Sequence, residues 1–156
     1  MKKVIYPGTF DPITNGHLDI IQRAATIFDK VVVAVAKSEE KRPMFDIKTR
    51  VEMAKRAVEG MENVEVKSFD TLLVNFCHHE GSKIIIRGLR AVSDFEYELQ
   101  MGYANQSLDP EIETLYLMPS LQNAFISSSV VRAILKFKGD VAHLVPKAIL
   151  PMLENA

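Results

Sequence analysis

Two nearly continuous runs of β-branched and aliphatic residues constrain the fold of this chain more than any other feature. They are Lys30–Ala36, with the sequence KVVVAVA, and Lys83–Arg87, with the sequence KIIIR. A strand with one face in water alternates apolar and polar residues, whereas these runs carry polar residues only at their ends. They therefore predict strands that are buried on both faces, as in the centre of a parallel sheet.

Segments with helical periodicity separate these runs from further short strands. The alternation of strand and helix is typical of a doubly wound parallel sheet, in which right-handed crossovers place helices on both faces. We expect one α/β domain over residues 1–156 with a five-stranded parallel sheet. The predicted strands are Val4–Tyr6, Lys30–Ala36, Val64–Val66, Lys83–Arg87 and Glu113–Met118. The predicted helices lie at about 17–28, 46–60, 71–80, 93–107 and 125–135, with short helices at 141–153.

The turn after the first strand, Tyr6–His17, has the sequence YPGTFDPITNGH. Glycine lets the backbone approach a ligand closely, and proline holds a loop in an extended shape. Thr14 or Asn15 can cap the following helix, which places His17 in its first turn. Free N–H groups and the positive end of the helix dipole make such a helix start an anion site, often for phosphate. Taken alone, His17 could equally be a surface or capping histidine.

Three further polar clusters follow predicted strands. They are the basic pair Lys41-Arg42, the segment Arg87–Arg90 and the serines Ser127–Ser129 at a helix start. Each has a simpler interpretation: the basic pair as a solvated loop, the Arg87–Arg90 segment as an exposed arginine pair, and the serines as a helix cap. In doubly wound sheets, however, ligands bind at the carboxyl ends of the strands near the switch in strand order. Because arginine and helix starts both bind phosphate, the clusters together predict one crevice for a phosphate-rich ligand.

The composition is that of an ordinary soluble globular protein, with 47% hydrophobic and 25% charged residues. The net charge of −1 provides no general basic field for nucleic acid. No apolar run reaches membrane-spanning length, and the N-terminus lacks the apolar region of a signal peptide. The single cysteine, Cys77, excludes an internal disulfide framework and is interpreted as a core residue. We therefore expect a cytoplasmic protein that binds neither nucleic acid nor membrane.

Four stretches of the sequence resemble motifs of the phosphopantetheine adenylyltransferase family. Tyr6–His17 resembles the start of that family, and its last residues match the T/H-x-G-H motif of the nucleotidyltransferase superfamily. Lys41–Phe45 matches K-x-P-M-F, Arg87–Glu98 matches a long motif with the sequence RGLRAVSDFEYE, and Ile126–Arg132 matches I-S-S-S-x-x-[KR]. The resemblance covers essentially the full chain. It implies a Rossmann-like nucleotidyltransferase fold and adenylyl transfer from ATP to 4′-phosphopantetheine, giving dephospho-coenzyme A and pyrophosphate.

The same resemblance implies roles for individual residues. His17 would stabilise the charge that develops on the α-phosphate of ATP, a task that suits a donor at a helix start. Thr9 would donate its hydroxyl to the attacking phosphate, and Lys41 would hold that phosphate. The residues expected to bind phosphopantetheine are Thr9, Lys41, Leu73 and Arg87. The residues expected to bind ATP are Thr9, Phe10, His17, Gly88, Leu89, Arg90, Glu98, Asn123, Ala124, Phe125, Ile126, Ser127, Ser128 and Ser129.

The attacking phosphate is already ionised, so we expect direct in-line attack without a protein nucleophile or general base. Mg²⁺ is expected on the triphosphate, because no cluster of acidic residues suggests a metal site built from protein alone. A homohexamer and feedback inhibition by coenzyme A are implied by the resemblance only.

In one place the chain departs from the family: Asn123-Ala124 stands where many members have an aromatic residue and then serine. The usual aromatic contact is therefore not assured, and Asn123 could contribute only its backbone.

Two other functions remain open on the sequence alone. Related transferases that act on nicotinamide mononucleotide or glycerol phosphate share T/H-x-G-H and the serine-rich helix start, but not the run at Arg87–Glu98. A non-catalytic nucleotide-binding module would not require His17 beside Thr9 and Lys41. Dinucleotide-dependent redox chemistry and P-loop phosphoryl transfer are disfavoured, because neither G-x-G-x-x-G nor G-x-x-x-x-G-K-[ST] is present.

Overall fold

The computed structural model of the chain describes residues 1–37, 42–90 and 92–154, with Val92 and Ser93 described by their backbone only. Within these residues the strands β1 (Lys3–Gly8), β2 (Lys30–Ala36), β3 (Val64–Phe69), β4 (Ile84–Gly88) and β5 (Glu113–Leu117) form one sheet. The strand order is β3-β2-β1-β4-β5, and all four pairings are parallel. The predicted fold class, a doubly wound five-stranded parallel sheet, is confirmed.

The helices connect these strands in the predicted order. They are α1 (Asn15–Ile27), α2 (Ile47–Ala57), α3 (Leu73–Glu80), α4 (Val92–Leu108), α5 (Ser128–Lys136) and α6 (Leu150–Leu153). Short 3₁₀ turns lie at Leu121–Asn123 and Lys147–Ile149. The spacing of Ser93 and Glu96 in the sequence predicts a capping box at the start of the fourth helix. This prediction is wrong, because α4 begins at Val92 and Ser93 lies inside it. Spacing alone could not reveal this, since serine and glutamate three residues apart also occur within a helix.

Alternate residues of the central strands pack on opposite faces of the sheet. Val31 and Val33 of β2 join a large core with α1, α2 and α5, whereas Val32 joins a smaller core with α3. All three valines have no exposed surface. Cys77 lies in the smaller core and is also fully buried, as predicted, and burial raises the pKa of its thiol to about 11. The two β-branched runs are therefore buried on both faces because each face is covered by helices.

The strand order reverses between β1 and β4. From β1 the chain runs outward to β2 and β3, then returns to place β4 on the other side of β1. Loops that leave the carboxyl ends of β1 and β4 therefore diverge, and a crevice opens between them. The predicted turn Tyr6–His17 lies at the end of β1, and the predicted cluster Arg87–Arg90 lies at the end of β4. No helix in the described ranges combines the length and the apolar character needed to cross a bilayer.

Replacement of a buried isoleucine in β4 should measure how much this core contributes. Ile86 has no exposed surface, whereas Ile27 at the end of α1 is 61% exposed. We expect Ile86→Ala to lower the free energy of unfolding by about 2–5 kcal/mol, through lost burial and the cavity left behind. Ile27→Ala should change it by less than about 0.5 kcal/mol. Urea unfolding of both variants tests this, and equal losses would contradict the assignment of β4 to the core.

Candidate active site

A cleft opens at the carboxyl ends of β1 and β4. Its walls come from the first turn, from the segment after β4, from the start of α4 and from the start of α5. The structure thus brings together residues that are far apart in sequence. The predicted site residues that line the cleft are Thr9, Phe10, His17, Arg87, Gly88, Arg90, Glu98, Ile126 and Ser128. Those outside its lining are Leu73, Leu89, Asn123, Ala124, Phe125, Ser127 and Ser129, while Lys41 lies outside the described residues.

His17 and Thr14 form a reciprocal capping box at the start of α1. The Thr14 hydroxyl accepts a hydrogen bond from the His17 N–H at 3.3 Å, and the Thr14 N–H donates to His17 Nδ1 at 3.0 Å. A backbone N–H can only donate, so Nδ1 must be the unprotonated nitrogen of the neutral ring. The ring proton therefore sits on Nε2. Nε2 has no acceptor within the described part of the chain, so its N–H is free for a ligand in the cleft.

The surroundings of His17 keep its imidazole neutral. Burial, with the nearby positive charges of Arg90 and Arg87, lowers the pKa of His17 to about 3. The Phe10 ring meets the imidazole edge-on, with the ring centroids 4.8 Å apart. His17 is therefore a fixed, uncharged hydrogen-bond donor rather than a cation or a titrating acid.

Arg87 connects three elements at the floor of the cleft. Its Nε and Nη2 donate to the two carboxylate oxygens of Glu98 at 2.8 and 2.7 Å, and its Nη1 donates to the Pro7 carbonyl at 2.6 Å. The Tyr116 hydroxyl donates to the Glu98 carbonyl at 2.8 Å. Such a bidentate, largely buried pair has a fixed geometry. Arg87 and Glu98 therefore form a rigid partition between this cleft and a neighbouring pocket.

A second pocket lies on the other side of this partition. It shares Thr9, Arg87 and Glu98 with the cleft, and it also contains Leu73, so three predicted phosphopantetheine contacts border it. Its lining is largely apolar, with two polar groups that have no partner among the described residues: the buried Thr114 hydroxyl and the Asn105 amide. Thr9 thus lies where a polar cleft and a more apolar pocket meet.

Sequence reasoning missed several residues of this second pocket. Tyr97, Met101 and Asn105 all line it from α4. Their spacing of four residues was visible in the sequence and indicates one face of a helix. The same spacing would serve for ordinary core packing, so no signal marked this face as a pocket wall.

The start of α5 is connected to the first turn and to the segment after β4. Ser127 caps α5 by accepting from the Val130 N–H at 3.2 Å, as expected for one of these serines. The Ser128 hydroxyl donates to the Pro12 carbonyl at 2.8 Å, and Arg90 Nη1 donates to the Ile126 carbonyl at 2.8 Å. These bonds hold the free N–H groups of the first turn of α5 beside the cleft. Two helix starts, α1 and α5, therefore contribute to the same anion-binding region.

Buried Arg50 is another residue that sequence reasoning missed. It is 1% exposed, and it donates to the carbonyls of Thr9 at 2.8 Å, Ala36 at 2.7 Å and Phe45 at 2.9 Å. The Asp11 carboxylate accepts from the Phe45 N–H at 2.9 Å. Both flanks of the segment that contains Lys41 are thus attached to the first turn, although Lys41 itself lies outside the described residues.

Comparisons with known proteins agree with this geometry. A family model described as cytidylyltransferase-like matches residues 5–134. A phosphopantetheine adenylyltransferase from Nautilia profundicola is 65% identical over 148 residues, 95% of this chain and 96% of that protein. Proteins of the same name are 65% identical in Campylobacter concisus, over 98% of both chains, and 58% identical in Helicobacter pylori strain G27, over 100% of both.

The chain belongs to the phosphopantetheine adenylyltransferase family. It is therefore a nucleotidyltransferase, and the resemblance found in the sequence is confirmed. The family's nucleotidyltransferase fold is also the fold observed here, with the switch between β1 and β4 at the cleft.

The departure from the family at Asn123 has a structural explanation. The Asn123 amide donates to Asp19 Oδ2 at 3.1 Å and to the Ser120 hydroxyl oxygen at 3.2 Å. Asp19 Oδ2 also accepts from the Ser120 N–H and hydroxyl, each at 2.7 Å. Burial works against the charge of Asp19, but the hydrogen bonds from Ser120, Asn123 and Arg23 outweigh it and lower its pKa to about 2. The Asn123 side chain therefore anchors its loop to α1.

Titration of His17 should report its buried, capped state. We expect its ring signals in NMR spectra of the native protein to stay unchanged between pH 5 and 8. The same ring in urea-unfolded protein should titrate near pH 6.5. Because the native pKa is the lower one, the unfolded state binds the extra proton, and stability falls as the pH drops from about 6.5 towards 3. A native His17 that titrates near pH 6.5 would contradict the proposed donor.

Neutralisation of Asp19 should weaken the attachment of the Ser120–Asn123 loop. We expect Asp19→Asn to lower the free energy of unfolding at pH 7 by about 1–2 kcal/mol, because hydrogen bonds to a charged acceptor are lost. Glu52→Gln is the matched control, since Glu52 forms only an exposed ion pair with Arg56 and should cost less than about 0.5 kcal/mol. Urea unfolding compares the two, and an equal effect would mean that the anchor contributes nothing to stability.

Proposed function

We propose that this chain transfers the adenylyl group of ATP to 4′-phosphopantetheine, with dephospho-coenzyme A and pyrophosphate as products. The observation that carries the proposal is the neutral His17, whose Nε2–H is directed by the Thr14 capping box to serve a ligand in the cleft. Support comes from relatives at 58–65% identity, which are named phosphopantetheine adenylyltransferase. None of these relatives is named for an acceptor such as nicotinamide mononucleotide or glycerol phosphate.

The two pockets suit the two substrates. ATP would occupy the cleft, where Arg90 and the starts of α1 and α5 attract its phosphates. The pantetheine arm would lie in the second pocket, against apolar Leu73. The Asn105 amide in that pocket has no partner among the described residues and matches an amide group of such an arm. Thr9 then stands between the acceptor phosphate and the α-phosphate of ATP.

The chemical step is an in-line displacement. A phosphate oxygen of phosphopantetheine attacks the α-phosphorus, the bond from that phosphorus to the bridging oxygen breaks, and pyrophosphate leaves with the electron pair. The Nε2–H of His17 donates to an equatorial oxygen, where charge grows in the transition state. Thr9 and Lys41 hold the attacking phosphate. No protein nucleophile or base takes part, because the attacking oxygen is already ionised.

Mg²⁺ fits this site only as a companion of the triphosphate. No cluster of three metal-ligating side chains occurs in the described residues. The carboxylates that line the cleft are engaged: Glu98 by Arg87, Asp94 by Arg90, and Asp11 by the N–H groups of residues 44 and 45. Phosphate oxygens and water would therefore hold the ion, which when bound neutralises charge on the leaving pyrophosphate. Glu98 and Asp94 then serve to orient arginines.

We also propose a cytoplasmic homohexamer that coenzyme A inhibits. Support for self-association comes from large apolar side chains left on the surface of α4, including Phe95 and Tyr103, which are 48% and 64% exposed. Further ones, Met118, Leu121 and Phe125, follow β5. A surface of this kind is typical of an interface between subunits. Coenzyme A shares the pantetheine arm and would compete for the second pocket.

Pyrophosphate release from Mg-ATP tests the reaction. We expect release that depends on 4′-phosphopantetheine and is not supported by nicotinamide mononucleotide or glycerol phosphate. His17→Ala should lower kcat by about 10²- to 10³-fold, the usual cost of one transition-state donor. His79→Ala is the matched control, because His79 is exposed and lies outside the cleft. Its kcat should match that of the unaltered protein.

Each alternative has its own outcome. Release that responds to another acceptor would replace the substrate proposal. ATP binding without release in the presence of any acceptor would make the chain a binding module. Full activity of His17→Ala would remove His17 from the mechanism and leave the substrate proposal intact.

A further inference from the structure

Tyr6 is a buried residue of β1 that the proposed mechanism does not use. Its side chain is 5% exposed and packs in the large core. Its ring meets that of Phe10 edge-on, with centroids 5.4 Å apart, and its centroid is 6.4 Å from that of His17. Tyr6 is also among the residues that line the cleft. It therefore lies directly beside the proposed transition-state donor.

The Tyr6 hydroxyl has no hydrogen-bond partner in the described part of the chain. Buried tyrosine hydroxyls normally have one. The hydroxyl lies at the end of Tyr6 that faces the cleft, because Tyr6 lines the cleft and its oxygen lies beside Gly88, another residue of the lining. A phenylalanine at this position would make the same packing contacts, so the fold itself does not require the hydroxyl.

The charges around this hydroxyl indicate what it can bind. Burial raises the pKa of Tyr6 to about 12, against the opposing influence of Arg87 and Arg90, so the phenol keeps its proton. The oxygen lies near the backbone after β4, since a Cβ placed on Gly88 would be 3.9 Å from it. A neutral donor next to two arginines suits an anionic oxygen, to which its hydrogen bond is charge-assisted.

We propose that the Tyr6 hydroxyl donates a hydrogen bond to a phosphate oxygen of the nucleotide, and that Tyr6 is thus a further nucleotide-binding residue. The inference rests on the proposed function, because it takes the nucleotide to occupy the cleft. Tyr6 lines the cleft but not the second pocket. The hydroxyl therefore serves ATP and leaves phosphopantetheine untouched.

Removal of the single oxygen tests this directly. We expect Tyr6→Phe to raise the Kd for Mg-ATP about tenfold in calorimetric titration, as for one hydrogen bond to a charged group. The Kd for phosphopantetheine and the melting temperature of the free protein should stay unchanged, since the hydroxyl has no partner in the fold. Tyr103→Phe is the matched control, because Tyr103 is 64% exposed and lines neither pocket. Its Kd for Mg-ATP should equal that of the unaltered protein.

The outcomes separate this inference from the proposed function. Equal ATP affinity of Tyr6→Phe and the unaltered protein would overturn the role of Tyr6 while the transferase activity stands. A loss of phosphopantetheine affinity as large as the loss for ATP would also overturn it, since a general distortion would then be the cause. An unaltered protein that binds no ATP would overturn both proposals together.

Discussion

The hydrogen bond from the Thr14 N–H to His17 Nδ1 connects the fold of this protein to its chemistry. It satisfies one of the free N–H groups that precede α1, and so helps to begin the helix. It also fixes the ring tautomer, so the Nε2–H is the donor that a ligand meets. Burial and neighbouring arginines keep that donor uncharged. One local interaction thus provides both a helix cap and an oriented hydrogen-bond donor, which the proposed reaction would use without reorganisation.

Arginine side chains hold the separate walls of the cleft together. Each of four donates to a backbone carbonyl in a distant part of the chain. The pairs are Arg50 with Thr9, Arg87 with Pro7, Arg90 with Ile126, and Arg132 with Asp11. Two of these arginines also pair with carboxylates, Arg87 with Glu98 and Arg90 with Asp94. The arginines therefore fix the positions of the cleft walls relative to one another.

Much of the fold and part of the site could be predicted from sequence. The β-branched run of β2 and the cap at Ser127 are encoded within a few neighbouring residues, and both were found where expected. Ser93 shows the limit of such reasoning, since its spacing to Glu96 fits a helix start and a helix interior equally. Arg50 lies on the amphipathic helix α2, and no local sequence pattern marks it as buried. Its burial depends on carbonyls up to 41 positions away in the chain.

The sequence by itself determined the order of strands and helices, the buried runs and the motifs of the family, because these depend on local periodicity and short spacing. Only the tertiary structure decided which side chains share a space. The Asn123 amide reaches Asp19 across 104 positions, and Arg87 reaches Pro7 across 80. Such bonds depend on the strand order and on the crossing between β1 and β4. The second pocket and the position of the Tyr6 hydroxyl at the cleft likewise arise only when those strands lie side by side.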